Sequence, residues 1–318
     1  MSEQLSVSGE RQLTDFPDKL PAMLVKELRQ GLRAPMFIAP FIIVHALAVL
    51  CVQMEYENAG YRDLLSPFWV VATLVVALVM PLRGFGALQE ELESGNAPLL
   101  MLSGLTRWQI VRGKWLVQMV FCGLTFLSLL PYLIVRYFFG SFEIIPNALM
   151  GLNVLTMSAG MSGCIIGASG YRAVPMRFIA GGIGALPVLA GGLTVWRGLA
   201  RIDEFDTVRE WTAFWIGGVS AFGVQALYAI TGLQLGRAHL KLYLLPYESA
   251  PTRGVVSLMI FLPFILLASA MGTMFYGFPV VLALVLYGMC RYDRPWRPAV
   301  GTRPQHVTGM DTGWRPLS

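Results

Sequence analysis

Long apolar stretches separated by short polar ones dominate the chain. Each apolar stretch is close to the roughly 20 residues that a helix needs to cross a bilayer. Together they predict eight membrane spans, at residues 36–54, 65–83, 115–135, 148–169, 178–195, 212–233, 254–271 and 273–290. Gly272 and Tyr276-Gly277-Phe278-Pro279 are consistent with a tight external turn between the last two spans, or with a break in a hairpin that re-enters without crossing. The predicted fold is all-α: an integral membrane bundle of about eight transmembrane helices, within a range of six to eight.

Composition agrees with lipid as the solvent for most of the chain. Charged residues make up 14% of the 318 positions and hydrophobic residues 55%, whereas soluble domains carry about 25% charge. All four cysteines fall in apolar stretches, which predicts buried thiols rather than disulfides or a metal site. They are Cys51, Cys122, Cys164 and Cys290.

The distribution of Lys and Arg predicts the orientation. With eight spans and a cytoplasmic N-terminus, all four lysines lie on the cytoplasmic side. The arginines left outside are Arg62, Arg136, Arg197, Arg201 and Arg209. This is the positive-inside pattern, and it explains the net charge of +5 without a nucleic-acid partner. Residues 1–19 and 291–318 then form cytoplasmic tails on either side of a transmembrane domain at 36–290.

Residues 20–35, "LPAMLVKELRQGLRAP", predict an amphipathic helix ahead of the first span. Its apolar face consists of Leu24, Val25, Leu28 and Leu32. Its basic face consists of Lys26, Arg29 and Arg33. This pattern is typical of a helix that lies in the membrane interface, with its aliphatic side among acyl chains and its cations among lipid phosphates. The alternative is a simple cytoplasmic helix next to the membrane.

A polar stretch at residues 90–115, "EELESGNAPLLMLSGLTRWQIVRGKW", separates the second span from the third. Ser94-Gly95 breaks the preceding helix, and Asn96 and Pro98 start a short new one. That helix displays Leu99, Leu100 and Leu102 and stops at Gly104. An exposed apolar helix needs a partner groove; alternatively, the leucines pack on their own bundle or on lipid.

Both of these segments resemble the permeases of type-2 ABC exporters. "VKELRQGLRAP" resembles the elbow helix that precedes span one in that family, and residues 90–115 resemble its segment between spans two and three. The matching positions in the second segment are Glu91, Gly95, Leu99, Leu100, Leu105, Thr106, Arg107, Gln109, Ile110, Val111, Gly113 and Lys114. The resemblance covers about residues 20–135. Asn96-Ala97-Pro98 departs from the family pattern, as do eight spans where the family mostly has six.

The resemblance implies the permease subunit of an ATP-driven exporter in the bacterial inner membrane. It further implies an ATPase subunit and a second permease, identical or homologous, as partners. Residues 90–115, the coupling segment, would transmit force from the ATPase. Its implied coupling residues are Glu91, Glu93, Gly95, Leu99, Leu100, Leu102, Arg107, Gly113 and Lys114. No cofactor is expected on this chain: Trp115 follows Gly113-Lys114 where a phosphate-binding loop needs Ser or Thr, so ATP and magnesium belong to the partner.

Two other functions compete with transport by a permease. Gly160-Met161-Ser162-Gly163 resembles the nucleophile string of a rhomboid protease, yet no His falls where such an enzyme has its base. A helix contact through Gly163 and Gly167 explains the string better. His45 lies well inside a predicted span, which makes an ion-coupled secondary transporter the second alternative. No Asp or Glu lies in the middle of a predicted span to support it.

Overall fold

The computed structural model describes residues 22–57, 66–93, 107–138, 144–202 and 205–241, and these ranges are helical with turns between the helices. The helices are α1 Ala22–Arg33, α2 Pro35–Glu57, α3 Pro67–Thr73, α4 Met80–Leu82, α5 Ala87–Glu93, α6 Arg107–Phe138, α7 Ile144–Ala168, α8 Val174–Leu199 and α9 Val208–Lys241. A π-helical segment, Leu74–Val79, and a 3₁₀ segment, Arg83–Gly86, join α3, α4 and α5 into one rod.

Six of the described helical rods are long and apolar enough to cross a membrane. They are Pro35–Glu57, Pro67–Glu91, Arg107–Phe138, Ile144–Ala168, Val174–Leu199 and Val208–Leu240, and we call them the first to sixth spans. They coincide with the first six predicted spans, so the expectation of a multi-pass, all-helical membrane protein is confirmed. The predicted spans at 254–271 and 273–290 lie outside the described residues.

Helix α7, the fourth span, forms the centre of the described bundle. About 72% of its most apolar stretch is buried, and it packs against α9, α8, α6 and the second span. Glycines allow the closest of these contacts. Gly163 faces the backbone of Ala229, and Gly167 faces the backbone of Gly232. The predicted small-residue contact is confirmed, and it fixes α7 directly on α9.

The second span is irregular next to Pro81. Pro81 has no N–H and its ring clashes with the carbonyl of the preceding turn, and the π-helical segment occupies that turn. The side-chain amide of Gln118 on α6 donates a hydrogen bond to the Met80 carbonyl beside the proline. A buried polar side chain thus holds the third span against the irregular part of the second.

A polar network crosses the interior between α7, α8 and α9. The amide nitrogen of Asn153 donates to the Gly192 carbonyl over 3.1 Å, and Gln225 donates to the Asn153 side-chain oxygen over 3.1 Å. Asn153 and Gln225 are fully buried. Because neither side chain can reach water, the bonds between them fix how the three helices are turned towards one another.

The two ends of the described bundle carry different charges. Helix α1, the end of the second span and the start of the third lie at one end, which we call the α1 end. Its described basic residues are Lys26, Arg29, Arg33, Arg83, Arg107, Arg112, Lys114, Arg172, Arg177, Arg237 and Lys241. The described basic residues of the opposite end are Arg136, Arg197, Arg201 and Arg209. Positive charge is therefore concentrated at the α1 end.

Candidate functional site: a charge cluster where three helices meet

Lys114, near the start of α6, joins three helices through its ammonium group. Its Nζ lies 3.1 Å from Oε1 of Glu27 on α1 and 3.1 Å from Oε1 of Glu91 on α5. The Lys114 side chain is 5% exposed, while Glu91 is 17% and Glu27 29% exposed. We call these three residues the charge cluster. It connects the amphipathic helix to both helices that flank the coupling segment.

The Lys114 ammonium group depends on the two carboxylates beside it. A lysine that is almost inaccessible to water is costly unless it is paired and hydrogen-bonded. Two carboxylates neutralise it, and each accepts one of its hydrogen bonds. Removing a single partner from such a group costs more than the group itself contributes, because a charge is left without compensation. Any movement of α5 or α6 at this point must therefore carry the other members with it or break an ion pair.

Arg83 makes a second connection to α1, from the second span. Its Nη2 donates to the Gly31 carbonyl over 3.2 Å, in the last turn of α1, where free carbonyls and the helix dipole favour a cation. Its guanidinium lies 4.2 Å from the ring centroid of Phe121 on α6 and 5.5 Å from that of Phe37 on α2. A Cβ on Gly31 would collide with the Phe121 ring. Helix α1 is thus held in its middle, through Glu27, and in its last turn, through Gly31.

The structure brings together two of the implied coupling residues, Glu91 and Lys114. Arg107 is the first residue of α6, and Gly113 precedes Lys114 on the same helix. Glu93 ends α5, and its side chain lies outside the described part of the structure. Gly95, Leu99, Leu100 and Leu102 also lie outside the described residues. The charge cluster therefore joins α5 and α6, the two described helices that contain the first and the last residues of the coupling segment.

The amphipathic helix predicted at 20–35 is present as α1, and its apolar side is divided. Leu28 is buried at 6% exposure and packs into the bundle core. Leu32 is 37% exposed. Arg29 and Arg33 are exposed, and the side chains of Leu24 and Lys26 lie outside the description. Leu28 thus packs α1 against the protein, while the Leu32 side chain is partly exposed on the surface.

Sequence reasoning missed two residues that hold α1 in place, Glu27 and Arg83. Glu27 lies in the string "VKELR", between basic residues. Arg83 is the last residue of the predicted second span. A usable signal was present at Glu27, since it is the single acid on a helix whose other charges are basic.

Ser162, the residue of the enzyme alternative, lies on the buried side of α7. Its hydroxyl and that of Ser158 lie beside the Cys122 thiol, yet neither makes a hydrogen bond within the described part of the chain. The described histidines pack elsewhere: His45 against Phe41 at 4.5 Å, and His239 against Tyr171 at 4.3 Å between ring centroids. No contact of the described residues supplies Ser162 with a base.

His45, the residue of the secondary-transporter alternative, is surrounded by aromatic rings. Beside its contact with Phe41, it lies 5.7 Å from the Tyr132 ring. Its Nδ1 is buried without a hydrogen-bond partner among the described residues. A proton-carrying histidine needs a polar path on both sides, and the described contacts of His45 with these rings provide none.

The opposite end of the bundle has its own buried ion pair. Nε of Arg136 lies 2.7 Å from Oε2 of Glu55, with side chains 4% and 7% exposed. Arg136 also donates to the Ser66 hydroxyl over 3.1 Å, and its guanidinium lies 5.0 Å from the Phe68 ring. This pair fixes the ends of the first and third spans to the start of the second.

The chemistry available at the charge cluster is that of ion pairing. Among residues 22–241, in the parts that the structure describes, no three His, Cys, Asp or Glu side chains are grouped so that they could hold a metal ion. Both carboxylates of the cluster are engaged in ion pairs with Lys114. The arrangement is suited to transmitting movement between helices.

No protein-family model matches the chain, and neither a curated protein nor a solved structure is significantly similar to it.

Proposed function

We propose that this chain is the membrane-spanning permease subunit of an ATP-driven exporter of the type-2 ABC class. A separate ATPase subunit docks on the coupling segment at 90–115 and supplies the energy. The permease works with a second copy of itself or with a homologous permease, and it moves its substrate out of the cytoplasm. The motifs at residues 20–35 and 90–115 supply the resemblance on which this proposal rests.

The observation that carries the proposal furthest is the charge cluster. Helices α5 and α6 enter and leave the coupling segment, and Lys114 ties both to α1 through Glu91 and Glu27. A push on the segment acts on the ends of two spans at once. Because the ammonium group is almost fully buried, that push is passed to α1 and, through Leu28, to the bundle core.

Each part of the coupling segment then has a role. Leu99, Leu100 and Leu102 seat in an apolar groove of the ATPase, as an amphipathic helix does in a partner's surface. Glu91 keeps the segment attached to α6, and the acids near it steer the ATPase into position. Closure of the ATPase around ATP moves the segment and turns the spans.

The proposed orientation places the α1 end in the cytoplasm, with both chain termini there and with residues 254–290 supplying the last two of eight spans. The concentration of Lys and Arg at the α1 end supports it. Helix α1 acts as the elbow helix, with Arg29 and Arg33 exposed to lipid headgroups of the inner membrane.

Purification of the full chain from its native membrane, followed by identification of partners, tests the proposal. We expect an ATPase subunit to co-purify and to be lost from the Leu99→Asp and Leu102→Asp variants. A charge in an apolar docking surface has no partner and removes most of the affinity. Val208→Asp is the matched control, because Val208 is 84% exposed at the opposite end of the bundle.

Recovery of the chain without any nucleotide-hydrolysing partner, under conditions that keep membrane complexes intact, would overturn the proposal. So would equal loss of the ATPase from the Val208→Asp control, since a change at the other end of the bundle has no route to the docking surface except through general misfolding.

A further inference from the structure

A groove opens between α8 and α9 at the end of the bundle opposite α1. Its volume is about 260 Å³. The residues that line it are Thr194, Val195, Gly198, Phe205, Glu210, Ala213, Phe214, Gly217 and Gly218. Drug-sized ligands occupy pockets of about 300–1,000 Å³. The groove is therefore of a size for a single alkyl chain with a small head group.

Glycines keep the groove open. A Cβ built on Gly217 or on Gly218 would meet no described atom within 4 Å beyond its own stretch of helix, so one wall of the groove is bare backbone. Across it, Gly198 lets the Phe214 ring lie directly on α8, 2.8 Å from where a Cβ would stand. These residues leave an apolar slot along α9 that the described side chains do not fill.

One end of the groove carries a carboxylate among aromatic rings. Glu210 is the one charged residue among the described residues that line it. Its Oε2 accepts hydrogen bonds from the backbone N–H groups of Asp206 and Thr207, at 3.1 and 2.9 Å, which hold the carboxylate in place. The Phe205 and Phe214 rings, 5.7 Å apart, lie in the same wall. A fixed carboxylate beside aromatic rings favours an ammonium group.

Two tryptophans indicate how deep in the membrane the Glu210 end of the groove lies. Trp211 packs edge-on against Phe205 at 5.6 Å, and Trp215 packs against Phe214 at 5.4 Å. Both are exposed, at 39% and 53%, in the first turns of a membrane span. Exposed tryptophans at such positions lie at headgroup level. The groove therefore runs from the headgroup region, at Glu210, into the hydrocarbon region, at Gly217 and Gly218.

We propose that this groove binds an amphiphile with a cationic ammonium head group and one alkyl chain. The ammonium lies against Glu210, Phe205 and Phe214, and the chain lies along Gly217 and Gly218. Arg209 is next to Glu210 in sequence but is not among the described residues of the lining, so within that lining the Glu210 carboxylate is the charge that the ligand meets. Binding at this site needs neither ATP nor a partner and does not depend on the proposed function.

Equilibrium binding of radiolabelled dodecyltrimethylammonium to the purified full chain, in a neutral maltoside detergent, tests this site. We expect saturable binding. Gly217→Leu and Gly218→Leu place a side chain in the slot and should weaken binding at least tenfold. Glu210→Gln keeps an oxygen for the N–H groups of Asp206 and Thr207 but removes the charge; because Glu210 is exposed, about a two- to fivefold loss is expected.

Gly182→Leu is the matched control. Gly182 is exposed on α8, and a Cβ there also meets nothing within 4 Å, but it lies outside the groove; binding should stay within twofold of the unsubstituted chain. Absence of saturable binding, an equal loss in Gly182→Leu, or equally tight binding of dodecyl sulfate would overturn the proposal. Unfolding midpoints of all variants, measured alongside, separate a filled groove from a misfolded chain.

A competition experiment distinguishes two possible natural ligands, a membrane lipid and a free cationic amphiphile. Displacement of the probe by a single-chain ethanolamine phospholipid identifies a membrane lipid as the natural occupant. Retained binding of the probe in its presence identifies a free cationic amphiphile. Either result supports the site, and neither bears on whether an ATPase docks at residues 90–115.

Discussion

Single charged residues, placed at the ends of the described spans, hold the helices of this protein together. Lys114 does so at the α1 end, and the pair of Arg136 and Glu55 does so at the other. In each case an ion pair with little exposure to water joins residues that are far apart in sequence. Such pairs contribute modestly when intact, but breaking one is costly.

Replacing Lys114 with Met should destabilise the protein by about 2–3 kcal/mol, below the 3–5 kcal/mol seen for fully buried pairs, because both carboxylates retain some contact with water. Combining this change with Glu27→Gln and Glu91→Gln should recover part of the loss, since no uncompensated charge then remains. The free energy of unfolding in mixed detergent micelles measures both effects.

Arg112→Met is the control for this series. Arg112 is exposed on the same helix and lies 5.9 Å from the Trp108 ring, and its loss should change stability by no more than about 0.5 kcal/mol. If Lys114→Met and Arg112→Met behave alike, Lys114 does not hold the three helices together in the way described.

Part of the charge cluster could be predicted from the sequence. The resemblance selected Glu91 and Lys114, and the structure brings them within 3.1 Å. The pairing of Lys114 with Glu27 could not be predicted, because it joins positions 87 residues apart and depends on where α1 lies on the bundle. Periodicity places Glu27 on a helix, but it does not specify what that helix packs against.

Among the elements, the contact of α7 with α9 is the closest that glycine makes possible here. Gly167→Ala should destabilise the protein by about 1–3 kcal/mol, because the new methyl group meets the Gly232 backbone, which has no flexible side chain to move. Gly182→Ala, on open surface, should be neutral or stabilising by up to about 1 kcal/mol, from the better helix propensity of alanine. Thermal unfolding of both variants compares them.

Equal effects of the two alanine substitutions would show that α7 and α9 are not in backbone contact. A larger effect at Gly167 would support a helix contact through Gly163 and Gly167, which is the packing explanation of the Gly-x-Ser-Gly string.

Sequence predicted the position of each of the six described spans, but not their irregularities. Residues 115–135 were predicted as the membrane-crossing part of the third span, and α6, from Arg107 to Phe138, contains them with a polar turn at each end. Hydropathy falls where Lys114 and Arg136 appear, yet the helix continues because both charges are paired with acids of other helices. The irregular turn at Pro81 is likewise contacted from another helix, since Gln118 on α6 donates a hydrogen bond to the Met80 carbonyl.

For the whole molecule, the concentration of basic residues at the α1 end predicts how it lies in the membrane. In intact cells, a membrane-impermeant maleimide should label Thr207→Cys but reach Arg172→Cys only after permeabilisation. Both sites lie in turns between described helices, at opposite ends of the bundle. The unsubstituted chain gives the background from its native cysteines. Labelling of Arg172→Cys in intact cells and not of Thr207→Cys would reverse the orientation and place the coupling segment outside.

The central claim is that the coupling segment touches an ATPase, and site-specific photo-crosslinking measures this most directly. A photoreactive phenylalanine analogue at position 99 or 102, in the full chain in its native membrane, should form an adduct with a protein that carries a phosphate-binding loop. The same analogue at position 208, at the opposite end, should not. Adducts from positions 99 and 102 that contain only this chain or lipid would contradict the claim.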